Sequence, residues 1–224
     1  IVDVAEGMPD ATLGSAEPPH IRAALTLTFG ALKRSHFLMP AAQMAGEVVC
    51  LDIGIPAACV EKEGVSVHLT EPSDVADFLP ERRADAHKGD AGRVLIVAGS
   101  ATMPGAAILA GRGALRAGAG LVTIACQDRE LLRVLPAAIP EAIYLDLDGM
   151  ALGQLLAERS YDAIACGPGL GVAPGVRELV DGLVQSYSGY VVLDADALNV
   201  IGPEPERLAG ASGQVVLTPH PGEA

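Results

Sequence analysis

Apolar residues follow two different rhythms along the chain. From Lys88 onward, short runs of Val, Ile, Leu and Ala recur at regular intervals: "RVLIVAGS", "LVTIAC", "AIYLDL", "YDAIACGPGLG", "YVVLDADALN" and "QVVLTPHPGE". Each has the length and β-branched content of a buried strand. Between them the spacing turns helical, over Gly105–Ala117, Asp128–Leu135, Gly149–Arg159 and Pro174–Tyr187. Strands alternating with helices at this interval predict right-handed βαβ crossovers and an α/β fold with a mostly parallel sheet between helices. Ligands of such sheets sit at the carboxyl ends of the strands.

The first part of the chain reads differently. "IVDVA", "ALTLTFG" and "EVVCLDIGIP" are strand-like runs joined by polar or proline-containing loops, with no long amphipathic helix among them. Residues 1–56 are too few to close a core around three strands, so they read as the tail of a domain that begins earlier. Residues 57–83, with "EKEG", "TEPSD" and "LPERR", are charged and proline-punctuated and read as a connector with short local structure. The regular alternation fills residues 84–224.

Composition agrees with this division. Half of the residues are apolar, Trp is absent and aromatics are scarce, the usual material of parallel strands covered by small-residue helices. The formal net charge of −13 repels nucleic acid and anionic membranes, and no run of Lys or Arg interrupts it. The longest apolar candidate for a membrane span, Ala106–Cys126, is broken by Arg112 and Arg116. Cys50, Cys59, Cys126 and Cys166 show no C-x-x-C pairing, and Cys50, Cys126 and Cys166 lie in or beside apolar runs where a small buried thiol is expected. A reducing cytoplasm is the implied setting. His20, His36, His68 and His87 form no metal-ligand spacing.

Four motifs fall where strands end: "AGSATMPGA", "CGPGLG", "LDADALN" and "LTPHPGEA". In the first, Gly99 and Ser100 follow a strand while Gly105 and Ala106 open a helix, so a ligand can approach backbone amides closely. It is not G-x-G-x-x-G, which argues against a standard dinucleotide fold. The glycines of "GRGALRAGAG" lie within and just beyond the following helix, where they allow close packing on the sheet. Gly167, Gly169 and Gly171 make either a tight turn or an uncluttered surface for a ligand. Asp194 sits on an emerging strand and can hold Mg²⁺, water or a hydroxyl, whereas Asp196 can cap the helix that follows or bind a ligand. His220 stands between Pro219 and Pro221, which hold its ring with little entropy left to lose.

Taken together, "KGDAGRVLIVAGS", "PGAAILAGRGALRAGAGLVT", "GPGLG", "LDADALN" and "TPHPGEA" resemble the ADP-dependent NAD(P)H-hydrate dehydratase family, whose fold is ribokinase-like. The resemblance covers about Ala84 to Ala224. "IVDVAEGMPDATLG", "ALTLTFGALK" and "GEVVCLDIGIP" resemble the last strands of a Rossmann-like NAD(P)H-hydrate epimerase domain, which many bacteria fuse in front of the dehydratase. Where that family has Pro-Ser-Gly, this chain has Ala5, Glu6 and Gly7. The chain thus reads as an internal piece of a bifunctional enzyme.

The resemblance implies repair of NADH or NADPH hydrated on the nicotinamide ring: the epimerase interconverts the R and S hydrates and the dehydratase removes water from the S form at the expense of ADP or ATP. By position it implies that Ala106, Gly169 and His220 contact the hydrated nucleotide. Gly99, Ser100, Gly105, Gly167, Gly171, Asp194, Asp196, Asn199 and Glu223 support them, with Asp194 as a metal ligand. It further implies Mg²⁺, K⁺ for the epimerase part, and a homo-oligomer at full length, with neither nucleic acid nor membrane as partner. The family's catalytic Asp, in a Gly-x-Gly-Asp motif, is expected downstream of Ala224, so no catalytic residue is assigned within the chain and little activity is expected of it alone. Two alternatives stay open, a small-molecule kinase of the ribokinase superfamily and a non-catalytic nucleotide-binding protein; a Rossmann oxidoreductase ranks below both.

Overall fold

The computed structural model describes residues 21–65, 67–76, 78–79, 85, 87–147, 155–156, 160–202 and 204–223. The run "IVDVA", the Ala5-Glu6-Gly7 loop and most of the helix expected over Gly149–Arg159 lie outside them. The chain divides into two compact units, Ile1–Pro80 and Glu81–Ala224.

In the first unit, β1 (Leu25–Phe29) pairs in parallel with β2 (Glu47–Leu51), Leu25 opposite Glu47 and Phe29 opposite Leu51. Short helices follow: α1 (Ala42–Ala45) between the strands, then α2 (Ala57–Lys62) and α3 (Pro72–Ala76) in the charged stretch. The buried side chains of β1 are Thr26 and Thr28, whose hydroxyls donate to the carbonyls of Ala45 (2.6 Å) and Ala31 (3.0 Å). Cys50 on β2 is exposed, contrary to the expectation that a thiol in an apolar run is buried. Helices cover little of this small sheet, so a strand position there does not imply burial.

The second unit is a parallel sheet of six strands: β3 (Arg93–Val97), β4 (Leu121–Cys126), β5 (Ile143–Asp146), β6 (Ala163–Cys166), β7 (Tyr190–Leu193) and β8 (Gln214–Leu217). Their spatial order is β5-β4-β3-β6-β7-β8. Along β3 successive residues face opposite sides and both sides are buried, the mark of a central strand. Leu95 and Val97 join one core with helices α6 (Pro174–Ser186) and α7 (Asp196–Ile201), which contribute Val176, Val180, Leu183 and Ala197. Ile96 and Ala98 join the other with α4 (Pro104–Ala117) and α5 (Arg129–Ala138), through Ala107, Leu131 and Leu135. Gly111 on α4 provides the predicted close packing, because a methyl there would stand 2.8 Å from both Ile124 and Ile139.

Helix α5 runs past its expected end at Leu135, through Pro136 to Ala138. The proline removes one amide donor, and the last turn is held by the Ile139 N–H, which donates to the Leu135 carbonyl (2.9 Å), and by the Tyr144 hydroxyl, which lies against the carbonyls of Leu135 and Ile139.

Candidate functional site

Strand order reverses between β3 and β6: the chain builds outward from β3 through β4 to β5, then returns to the other side of β3. The crevice outside the carboxyl ends at such a switch point is where open α/β sheets bind ligands. The four motifs end β3, β6, β7 and β8, which are neighbours in the sheet. With strands about 4.8 Å apart they line a continuous rim of about 14 Å. Sequence spacing alone does not reveal this adjacency, since the first motif and the second are separated by β4, α5 and β5.

Specific contacts bind each loop of the rim to the next. Between β3 and β6, the Gly99 N–H donates to the Pro168 carbonyl (2.8 Å) and the Gly167 N–H to Val97 (3.1 Å). Gly169 has φ +70°, and a methyl there would lie 2.7 Å from the Ala106 Cβ and 3.0 Å from the Met103 Cβ. Ala106 and Gly169 are therefore brought together at the start of α4. The amides of Gly167, Leu170 and Gly171 all donate to protein acceptors, whereas the N–H of buried Gly169 meets none among the described residues.

Between β6 and β7, a methyl at Gly167 would fall 1.8 Å from the Asp194 carbonyl oxygen, so only glycine fits. The Asp196 carboxylate accepts the Gly171 N–H (2.8 Å) and lies 3.3 Å from the Asn199 amide. Asp196 is the first residue of α7 and makes no cap, because the N-cap position belongs to Ala195. One of its oxygens reaches across to the β6 loop and the other faces Asn199 of its own helix.

Between β7 and β8, the Thr218 hydroxyl donates to Asp194 Oδ1 (2.9 Å) and the Thr218 N–H to the Leu193 carbonyl (3.2 Å). His220 follows, its side chain 68% exposed. The Gly222 N–H donates to its Nδ1 (2.9 Å), which leaves Nε2 protonated and facing Glu223 Oε1 at 3.3 Å. The other Glu223 oxygen accepts the His220 N–H (3.1 Å), and the Glu223 N–H donates to the His220 carbonyl (2.8 Å). This closed turn fixes the tautomer and aims the ring, with Glu223 as its inner support.

Next to the switch point, Gly99, Ser100, Gln127, Asp128, Arg129 and Leu170 line a cavity of about 440 Å³. Its β4 side, Gln127 to Arg129, carries none of the four motifs. Asp128 there caps α5 by accepting the amides of Glu130 (2.9 Å) and Leu131 (3.4 Å), while Arg129 pairs with Asp146 (2.8 Å). An Asp straight after a strand and before a helical run was the available signal, and it points to capping.

As for Mg²⁺, no three His, Cys, Asp or Glu side chains converge among the described residues. Asp194 is a single carboxylate already accepting from Thr218, and a hard cation takes about six oxygens. These residues alone do not cage the ion.

Residues 94–224 match the family described as NAD(P)H-hydrate dehydratase. Over 230 residues, 99% of the chain, the sequence is 37% identical to the bifunctional NAD(P)H-hydrate repair enzyme Nnr of Moorella thermoacetica. The chain spans 43% of that relative's length. The crystal structure of the ADP/ATP-dependent NAD(P)H-hydrate dehydratase of Bacillus subtilis, co-crystallized with ATP/Mg²⁺, aligns with a TM-score of 0.55 at 40% identity, over 67% of this chain and 52% of that one. A ribokinase-like superfamily protein of Enterococcus faecalis aligns with a TM-score of 0.54 at 26% identity, over 64% and 50% of the two chains. The family match begins within β3 and takes in all four loops of the rim. With its parallel sheet, flanking helices and ribokinase-like neighbours, the chain belongs to the NAD(P)H-hydrate dehydratase family.

Proposed function

We propose that the protein containing this chain repairs hydrated nicotinamide nucleotides, its dehydratase unit removing water from the S form of NADH or NADPH hydrate with ADP as phosphoryl donor, and a fused epimerase interconverting the R and S forms. The observation that carries this reading is the Gly169 amide, buried beside Ala106 with no acceptor among the described residues, since buried N–H groups are nearly always paired. It supports a ligand acceptor at the switch point. Gly169 packs directly on Ala106 at the start of α4, and His220 closes the far end of the rim with a held ring.

The chemistry asked of the site is leaving-group activation. Hydroxide leaves a carbon poorly; a phosphoryl group accepted from ADP onto the ring hydroxyl, leaving AMP, lets that oxygen depart as phosphate while the neighbouring ring carbon gives up a proton and the ring double bond re-forms. Positioning and charge stabilisation dominate such transfers. In this reading the residues of the rim hold the hydrated ring, and the acid–base group belongs to a part of the protein beyond residues 1–224, which contain no Gly-x-Gly-Asp sequence. All four cysteines are unpaired, which supports a reducing compartment, and among the described residues no helix is long and apolar enough to cross a membrane.

Titration of the isotope-labelled 224-residue chain with the S hydrate of NADH tests the proposal. Saturable shifts of the Ala106, Gly169 and His220 amides, with Ile124 unmoved, are expected. No saturable shift in any rim amide refutes it. A rim that binds a small alcohol instead, in a full-length protein that releases it as a stable phosphate ester, replaces it with the kinase reading.

A further inference from the structure

Resting on that reading, we propose that Asp194, Ala195 and Asp196 form a clasp that locks the loops after β6 and β8 together, so that Gly169 and His220 meet the substrate as one rigid wall. The two aspartates are positioning residues that need not touch the substrate.

Three observations carry this. Ala195 has φ +50° and ψ −117°, and among the described residues it is the one non-glycine at positive φ. Such a conformation persists only where the surroundings over-determine it. Its neighbours supply that determination in opposite directions: Asp194 holds Thr218 of the β8 loop (2.9 Å), and Asp196 holds Gly171 of the β6 loop (2.8 Å). The Asp194 N–H also donates to Cys166 at the end of β6 (3.1 Å), and its carbonyl is pressed so closely on Gly167 that no methyl fits between them. Two loops therefore hang on one three-residue elbow after β7, with no slack on the β6 side. Helix capping does not account for the second carboxylate, which splits its oxygens between Gly171 of the β6 loop and Asn199 of its own helix.

A clasp makes a prediction that two independent hydrogen bonds do not: loosening the β8 end should be felt at Gly171, which Thr218 does not bond. The test uses the full-length protein with Thr218→Val, Thr218→Ser, Asp196→Ala and Asp196→Asn. Amide hydrogen exchange at Gly171 and steady-state kinetics on the S hydrate are read together. In Thr218→Val, Gly171 should exchange about tenfold faster and KM should rise about tenfold with kcat within about twofold, as for lost ground-state positioning. Thr218→Ser should restore both values. Asp196→Ala should match the effect, and Asp196→Asn, which keeps an acceptor oxygen, should largely spare it.

Unchanged Gly171 exchange in Thr218→Val overturns the clasp, as does equal acceleration of the core amides of Ile96 and Ile124, which signals general destabilisation. If Gly171 responds as stated while the wild-type protein neither binds nor turns over the hydrate, the clasp stands and the functional reading falls.

Discussion

A methyl group added to each of the three glycines that follow β6 meets a different environment, so their alanine variants form a graded series. At Gly171 it meets nothing within 4 Å, and the cost is that of a left-handed alanine at φ +78°, about 1–2 kcal/mol. At Gly169 the same backbone cost applies at φ +70°, and the methyl also stands 2.7 Å from the Ala106 Cβ and 3.1 Å from the Met103 carbonyl oxygen. Overpacking of that kind adds about 1–3 kcal/mol, for a total of about 2–5. At Gly167 the methyl falls 1.8 Å from the Asp194 carbonyl oxygen and 2.8 Å from the Ala197 Cβ. Backbone on both sides must move, and a loss of about 4 kcal/mol or more is expected, a large part of a domain's whole stability. The assay is urea unfolding followed by tyrosine fluorescence: Trp is absent and all four tyrosines, Tyr144, Tyr161, Tyr187 and Tyr190, lie in the second unit, which alone is therefore reported. The order of loss should be Gly167 over Gly169 over Gly171. A Gly171 variant as damaged as Gly169, or a Gly167 variant with the wild-type midpoint, refutes the contact geometry of the rim.

Further expectations follow from the same packing. A disulfide-exchange reagent should modify the exposed Cys50 and Cys59 in the native chain, and Cys126 and Cys166 only on unfolding; prompt reaction at four thiols would contradict the burial of the β4 and β6 ends. Burial pushes the Cys166 thiol up to about 12 from an ordinary 9.0. The folded chain thus keeps a proton that the unfolded chain sheds first, so stability should be full below pH 9 and fall above it by about 1.4 kcal/mol per unit, with Cys126, Tyr144 and Tyr187 acting in the same direction. Urea midpoints measured through that range check it, and Cys166→Ala should remove the thiol's share of the slope. Replacing Asp128 by Ala should cost about 1 kcal/mol through loss of the α5 cap and by Asn little, read from the same curves.

Much of this was legible in the sequence because its signals are local. Each apolar run from Arg93 onward became a strand within a residue or two, the strands came out parallel, and Gly111 packs where the helical pattern put it. The glycine and proline motifs were correctly placed at strand ends. What the sequence did not disclose is which distant groups meet there. The sequence leaves Asp196 open between a helix cap and a ligand contact, whereas its partner, Gly171, lies 25 residues away across a strand boundary. The strain at Ala195 is equally hidden, because nothing in the letter Ala announces a positive φ imposed by its neighbours. The flanking prolines of His220 are visible in the sequence, whereas the contacts that aim its ring come from Gly222 and Glu223. Cys50 failed for a related reason, since an apolar strand is buried only if something covers it.

The proposed role of this rim is the dehydration of a hydrated nicotinamide. Its most direct test supplies the full-length protein with the S hydrate of NADH, ADP and Mg²⁺, and follows the near-ultraviolet absorbance of the reduced ring together with released phosphate. NADH, AMP and phosphate are expected in equal amounts, with the Gly169→Ala variant slowed far more than Gly171→Ala. No recovery of absorbance by a folded, hydrate-binding protein, or a phosphorylated nucleotide that persists, would contradict it.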